Sequence, residues 1–159
     1  MYYCYLFLLI TLFFLPAGAP AQSPATDLTR YVNPLIGTDS EFKLSNGNTY
    51  PAIAVPWGMN FWTPQTGKMG DGWGYTYDAY KIRGFKQTHQ PSPWINDYAA
   101  FSLMPLTGAL KIDEEARASW FSHKRETARP HYYRVYLGDY DTWVEITPTE
   151  RAAQFRFTF

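Results

Sequence analysis

The residues best suited to chemistry lie in two short segments rich in glycine, proline and aromatic side chains. In the first, Asp71 stands two residues before Trp73, with glycines on both sides of the tryptophan. A tryptophan offers a flat apolar face to a sugar ring, a carboxylate accepts hydrogen bonds from its hydroxyls, and glycine allows close approach to the backbone. This spacing predicts a binding loop. It is equally compatible with a tight turn in which Asp71 caps the backbone and Trp73 is buried.

The second segment, residues 88–98, places His89, Trp94 and Asp97 in a stretch that two prolines hold extended. Such rigidity preorganises polar side chains for a ligand. A single histidine is more often a structural residue than a base, and Asp97 fits a turn equally well. The candidate substrate-binding residues are therefore Asp71, Trp73, His89, Trp94 and Asp97.

Other reactive residues match no catalytic or metal-binding pattern. Asp113, Glu114 and Glu115 are consecutive, so their side chains point in different directions and suit a solvated turn better than a catalytic pair. The three histidines lack zinc-ligand spacing, and the sequence contains neither a calcium loop nor a serine motif for acyl transfer. We therefore expect no catalytic residue and no metal ligand in this chain.

Charge and cysteine content narrow the class of ligand. Lysine and arginine number 14 and acidic residues also 14, without blocks of like charge, which argues against nucleic acid as a partner. A neutral ligand is expected. The single cysteine is Cys4, so the later part of the chain has no disulfide and no thiol nucleophile.

The amino-terminal segment has the pattern of a signal peptide. Residues 5–15 are almost wholly apolar, and small residues follow at Ala19 and Ala21. The apolar run is shorter than the ~20 residues that a membrane-spanning helix needs. We therefore expect a signal peptide over residues 1–21, a mature domain over residues 22–159 without a membrane span, and a secreted, periplasmic or cell-surface location.

Alternation of apolar and polar residues predicts an all-β fold. Residues 131–159 form a three-stranded antiparallel meander in this interpretation, residues 99–112 a hairpin, and residues 55–62 a strand, whereas residues 113–118 make one helical turn. Glycine and proline recur through residues 37–97, which indicates long ordered loops between few strands. The prediction is an antiparallel β-sandwich with such loops. Because the chain stops inside its clearest strand, we expect this sandwich to be incomplete.

A series of short motifs follows in a fixed order along the chain. They are residues 31–38 (YVNPLIGT), 48–51 (NTYP), 55–59 (VPWGM), 84–85 (GF), 88–89 (TH), 96–98 (NDY), 103–108 (LMPLTG) and 145–151 (EITPTER). Over about residues 30–159 these motifs resemble the N-terminal domain of glycoside hydrolase family 92, the exo-acting α-mannosidases. The resemblance implies a two-domain enzyme with an N-terminal β-sandwich, a C-terminal (α/α)₆ barrel and an active site between them. It also implies a requirement for Ca²⁺.

The same resemblance implies how catalysis is divided between the domains. Hydrolysis with inversion uses one carboxyl group as acid and another as base, about 6.5–9.5 Å apart. In the family these acids and the calcium ligands belong to the barrel. This chain would then supply a wall of the mannose-binding site, would be inactive without its missing C-terminal domain, and would itself bind no Ca²⁺. The bulky residues 90–94 (QPSPW) depart from the commoner family form and leave the linkage preference open.

Two other functions fit the same residues. A stand-alone secreted carbohydrate-binding module would use Trp73 and Trp94 to stack on a sugar without chemistry. A purely structural sandwich would bury both tryptophans.

Overall fold

The computed structural model describes residues 26–39, 49–67, 74–88 and 101–159, which form antiparallel sheets with few helical turns. The strands are β1 (Phe61–Gln65), β2 (Lys81–Ile82), β3 (Gly84–Thr88), β4 (Ser102–Leu103), β5 (Ser119–Trp120), β6 (Glu126–Arg129), β7 (Tyr132–Leu137), β8 (Thr142–Pro148) and β9 (Ala153–Thr158). The helical elements are 3-10 turns at Leu28–Tyr31 and His123–Arg125 and the short helix α1 (Glu114–Arg117). Within these ranges, no helix has the length and apolar character needed to cross a membrane. The predicted all-β class is confirmed.

The larger sheet has four strands in the order β6-β7-β8-β9. Tyr133, Val135 and Leu137 of β7 are fully buried, as are Val144 and Ile146 of β8, and the intervening residues face outward. This alternation confirms the predicted meander over residues 131–159. Strand β6 adds a fourth member that the sequence pattern did not predict, because its inward position at Glu126 is acidic rather than apolar.

A three-stranded sheet, β1-β3-β4, packs against the larger one. Trp62 of β1 and Phe85 of β3 join the side chains of β7 and β8 in a single buried cluster. Phe155 of β9 completes the contact, since its ring lies 4.9 Å from the Trp62 ring. The core therefore lies between two antiparallel sheets, which is the predicted β-sandwich. Strands β2 and β5 pair separately as a two-stranded ribbon.

Two of the predicted elements are wrong in their limits or their pairing. In place of a strand from residue 55, a turn places Gly58 N 3.0 Å from Val55 O, and β1 begins only at Phe61. The predicted hairpin is absent from the described residues of this region, because β4 pairs with β3 and residues 109–112 form no strand. Leu110, within the predicted second strand of the hairpin, remains 80% exposed. The helical turn at residues 113–118 is confirmed by α1.

Candidate functional site

All five predicted substrate-binding residues lie outside the described part of the chain. These residues are Asp71, Trp73, His89, Trp94 and Asp97. The structure does describe the residues that immediately flank the two predicted segments, and these anchors determine where each segment leaves the sandwich.

Hydrogen bonds hold together the residues on the two sides of the first segment, residues 68–73. We call these flanking residues, 65–67 and 74–76, the neck of the segment. Thr66 N donates to Gly74 O at 2.8 Å, and Thr76 N donates to Thr66 Oγ1 at 2.9 Å. On the incoming side, the Gln65 side-chain amide donates to Gly67 O at 2.9 Å. Because Gln65 is fully buried at the end of β1, the neck is tied to the sheet.

A buried carboxylate fixes the outgoing side of this neck. Glu126 accepts a hydrogen bond from Tyr75 Oη at 3.1 Å and one from Tyr133 Oη at 2.6 Å. The Glu126 side chain is only 1% exposed. Tyr75 thus joins the residues that follow Gly74 to the inner face of the four-stranded sheet. Burial, reinforced by the Glu126 carboxylate, raises the pKa of both phenols well above the usual value, so that they remain hydrogen-bond donors.

His123 adds a second connection to the same stretch of chain. Its Nδ1 lies 2.5 Å from Glu126 Oε2, its Nε2 lies 2.8 Å from Tyr77 O, and its ring stacks on the Tyr77 ring at 3.9 Å between centroids. These contacts connect the Tyr77 backbone to the Glu126 carboxylate through one imidazole ring.

The second predicted segment has its anchors at the other end of the three-stranded sheet. Residue 89 follows Thr88, which pairs with Phe61 at the start of β1, whereas the neck of the first segment follows Gln65 at the end of β1. Four residues of strand separate these ends, which is about 14 Å.

The buried carboxylate among the described residues does not suit catalysis. Glu126 is enclosed by its tyrosine and histidine partners, so its carboxylate suits structural anchoring rather than proton transfer to a substrate. Within the described ranges, no group of three or more His, Cys, Asp or Glu side chains could hold a metal ion.

Sequence reasoning missed the anchoring group around Glu126. Tyr75 and Glu126 lie 51 residues apart, and no local pattern connects them. The available signal is an acidic residue at an inward strand position, which is visible only after β6 is known.

A model of the glycosyl hydrolase family 92 N-terminal domain matches residues 31–159. A solved family GH92 inverting mannosidase from Bacteroides thetaiotaomicron is 51% identical, with a TM-score of 0.79 over 86% of this chain and 18% of that chain. A family GH92 α-mannosidase from the same bacterium, also solved in complex with mannoimidazole, is 36% identical, with a TM-score of 0.72 over 82% of this chain and 18% of that one.

A family GH92 glycosyl hydrolase at 25% identity has a TM-score of 0.66 over 82% of this chain and 19% of its own. No curated protein is similar enough to count as a match. The chain spans less than a fifth of the length of these solved enzymes. The matched family model and the 51% identity over most of the chain lead to one conclusion: this chain belongs to glycoside hydrolase family 92, in the region of its N-terminal domain.

Proposed function

We propose that this chain is the N-terminal, substrate-binding portion of a secreted, calcium-dependent, inverting α-mannosidase that removes terminal α-mannosides from glycans. The observation that carries this proposal is the 51% identity to an inverting mannosidase over 86% of the chain. In this role the chain supplies binding residues, and the acid, the base and the calcium ligands come from a C-terminal (α/α)₆ domain.

The anchored neck at Thr66 and Gly74 supports a binding role for the segment between them. A ligand-binding loop gains affinity when its ends are fixed before the ligand arrives, because less conformational entropy is then lost on binding. Here one backbone hydrogen bond and one to the Thr66 hydroxyl close the neck, and Tyr75 ties it to the core. Asp71 and Trp73 are the residues that we assign to mannose in this segment, with His89, Trp94 and Asp97 in the second.

Inversion by two carboxyl groups needs both of them to reach the substrate. Glu126 does not meet this requirement, because its side chain is 1% exposed and already accepts from two tyrosines. Glu145 is held by Arg156 and Tyr132. The described residues also do not provide a set of donors for Ca²⁺, so we assign no step of the reaction to calcium here.

The experiment compares the chain alone with a chimera. In the chimera, residues 31–159 replace the corresponding region of the 51% identical mannosidase. We expect no hydrolysis of 4-nitrophenyl α-mannoside by residues 22–159 alone and calcium-dependent hydrolysis with inversion by the chimera. In the chimera, Trp73→Ala should lower kcat/KM by tenfold or more, since a buried aromatic contact is worth about 2 kcal/mol. The half-exposed Trp120 of β5 provides the control, because Trp120→Phe should leave kcat/KM unchanged.

Each alternative gives a different result. Mannosidase activity in residues 22–159, abolished by changing one of their own carboxylates, would overturn the division of labour. Binding of mannoimidazole by the chain alone, with an inactive chimera, would favour a carbohydrate-binding module. Loss of stability in Trp73→Ala and Trp94→Ala without any sugar binding by the chain would favour a structural sandwich.

A further inference from the structure

The outward face of the four-stranded sheet contains a polar cavity that the proposed function does not use. Its volume is about 200 Å³, and its walls are Tyr132, Glu145, Thr147, Gln154 and Arg156. These residues come from β7, β8 and β9, on the side of the sheet away from the core. A cavity of this volume has room for several water molecules or one small ring.

Three of the side chains that line the cavity, Tyr132, Glu145 and Arg156, form hydrogen bonds with one another. Arg156 donates from Nε to Glu145 Oε2 at 2.6 Å and from its terminal nitrogen to Oε1 at 2.7 Å. Tyr132 Oη donates to Glu145 Oε1 at 2.6 Å. The paired charges cancel, which favours a neutral ligand. Arg156 is the main cause that lowers the pKa of Glu145 to about 2, so the acceptor stays ionised at neutral pH.

The other two walls supply polar groups that are free to bind. Thr147 of β8 and Gln154 of β9 are cross-strand partners, so their side chains lie next to each other. Within the described part of the chain, neither side chain makes a hydrogen bond. A hydroxyl and a primary amide together offer three donors and several acceptors to a ligand.

We propose that this cavity is a carbohydrate subsite that holds one neutral pyranose unit. The phenol ring of Tyr132 contacts the apolar side of the sugar, and Thr147 and Gln154 bind its hydroxyls beside the Glu145–Arg156 pair. Aromatic, amide and charged groups around a concave surface form the kind of site that binds sugars through many weak directional contacts. The subsite itself stands on this geometry, and the choice of mannose as the probe rests on the proposed function.

The test is a titration of the ¹⁵N-labelled chain with methyl α-mannoside, followed by NMR. We expect saturable shifts of the Gln154 side-chain amide and the Thr147 backbone amide. Thr147→Val should weaken binding about three- to tenfold, the effect of one lost hydrogen bond. Thr158→Val is the matched control, because Thr158 lies on the same face of β9 but does not line the cavity. It should leave the affinity unchanged.

Three results would overturn the subsite. They are the absence of shifts at Gln154 in the wild-type chain, equal shifts with glycerol at the same hydroxyl concentration, and equal affinity in Thr147→Val and wild type. The wild-type titration decides the question even if a variant fails to fold. Changes in the activity of the Trp73→Ala chimera report on the proposed function separately, so the failure of either proposal is recognised independently of the other.

Discussion

Two adjacent tyrosines on β7 form hydrogen bonds of equal length in different surroundings, which allows the effect of burial to be measured. Tyr133 Oη donates to Glu126 at 2.6 Å, and Tyr132 Oη donates to Glu145 at 2.6 Å. The Glu126 side chain is 1% exposed and the Glu145 side chain 14%. The same change, Tyr→Phe, therefore removes the same donor from a buried carboxylate in one case and from a partly hydrated carboxylate in the other.

The expected magnitudes follow from hydration of the acceptor. A hydrogen bond to a charged group contributes about 1.5–3 kcal/mol when its loss leaves the group without a replacement donor. Water can replace the phenol at Glu145 but has little access to Glu126. We expect Tyr133→Phe to lower the free energy of unfolding by about 2 kcal/mol and Tyr132→Phe by about 0.5 kcal/mol. With a urea slope of about 1.5 kcal/mol per molar, the midpoints should fall by about 1.3 M and 0.3 M.

The assay is equilibrium urea unfolding of the two single variants, together with a double-mutant cycle at the buried carboxylate. Tyr75 also donates to Glu126, so Tyr75→Phe and Tyr133→Phe combined leave His123 as its remaining described hydrogen-bond partner. The combined loss of stability should exceed the sum of the single losses, because the second change leaves a buried charge underpaired. Equal midpoint shifts for Tyr133→Phe and Tyr132→Phe, or strict additivity in the cycle, would refute the reasoning.

Three other predictions concern the backbone and the surface. Trp57 has a φ of +62° and is 98% exposed. Trp57→Gly should therefore raise the free energy of unfolding, measured in urea, by about 0.5–1 kcal/mol. Trp57→Ala keeps the Cβ and should give no such gain. A Cβ at Gly84 would overlap Ser102 Oγ, so Gly84→Ala should lower the thermal midpoint through a loss of about 2 kcal/mol. Because Arg156 lowers the folded pKa of Glu145 to about 2, against about 4.3 in the unfolded chain, this pair stabilises the fold above pH ~4.5 and its contribution disappears as the pH falls towards 2. Arg156 is exposed, so solvent screening keeps this contribution small, and Arg156→Gln should flatten this part of the curve of urea midpoint against pH.

The strands that the sequence predicts well are those in which burial alone determines the pattern. In β7 and β8 every inward position except Thr142 is apolar or aromatic, and almost every outward one is polar or amphipathic, so a period of two identifies both strands. Strand β6 shows no such pattern, because one of its inward residues, Glu126, is satisfied by hydrogen bonds rather than by apolar packing. Strand β4 is predicted with the wrong partner. The sequence pattern favours pairing with the next segment of the chain, whereas β4 pairs with β3.

For the candidate site, the sequence predicts the binding residues but not the residues that anchor them. Glycines and tryptophans indicate a binding loop through local chemistry, and Trp73 remains a prediction on that basis. The anchors of this loop cannot be predicted from the sequence, because the contact between Tyr75 and Glu126 depends on the pairing of β6 with β7. Contacts between residues this far apart follow from topology, which short-range spacing does not encode.

Because Glu126 is buried, its contacts with Tyr75, Tyr133 and His123 fix the geometry of this region more than they stabilise the fold. Burying a carboxylate costs several kcal/mol unless hydrogen bonds compensate, so the cluster contributes little net stability compared with apolar packing. Its advantage lies in geometry, because an apolar contact tolerates sliding whereas two phenols and an imidazole around one carboxylate are satisfied in few arrangements. Tyr75 and Tyr77, which follow Gly74, are thereby held at one position on the four-stranded sheet. Under the proposed function, the segment between Thr66 and Gly74 presents a sugar-binding side chain, and such a segment needs this kind of support, since a shift of about 1 Å in a binding group is enough to impair its function.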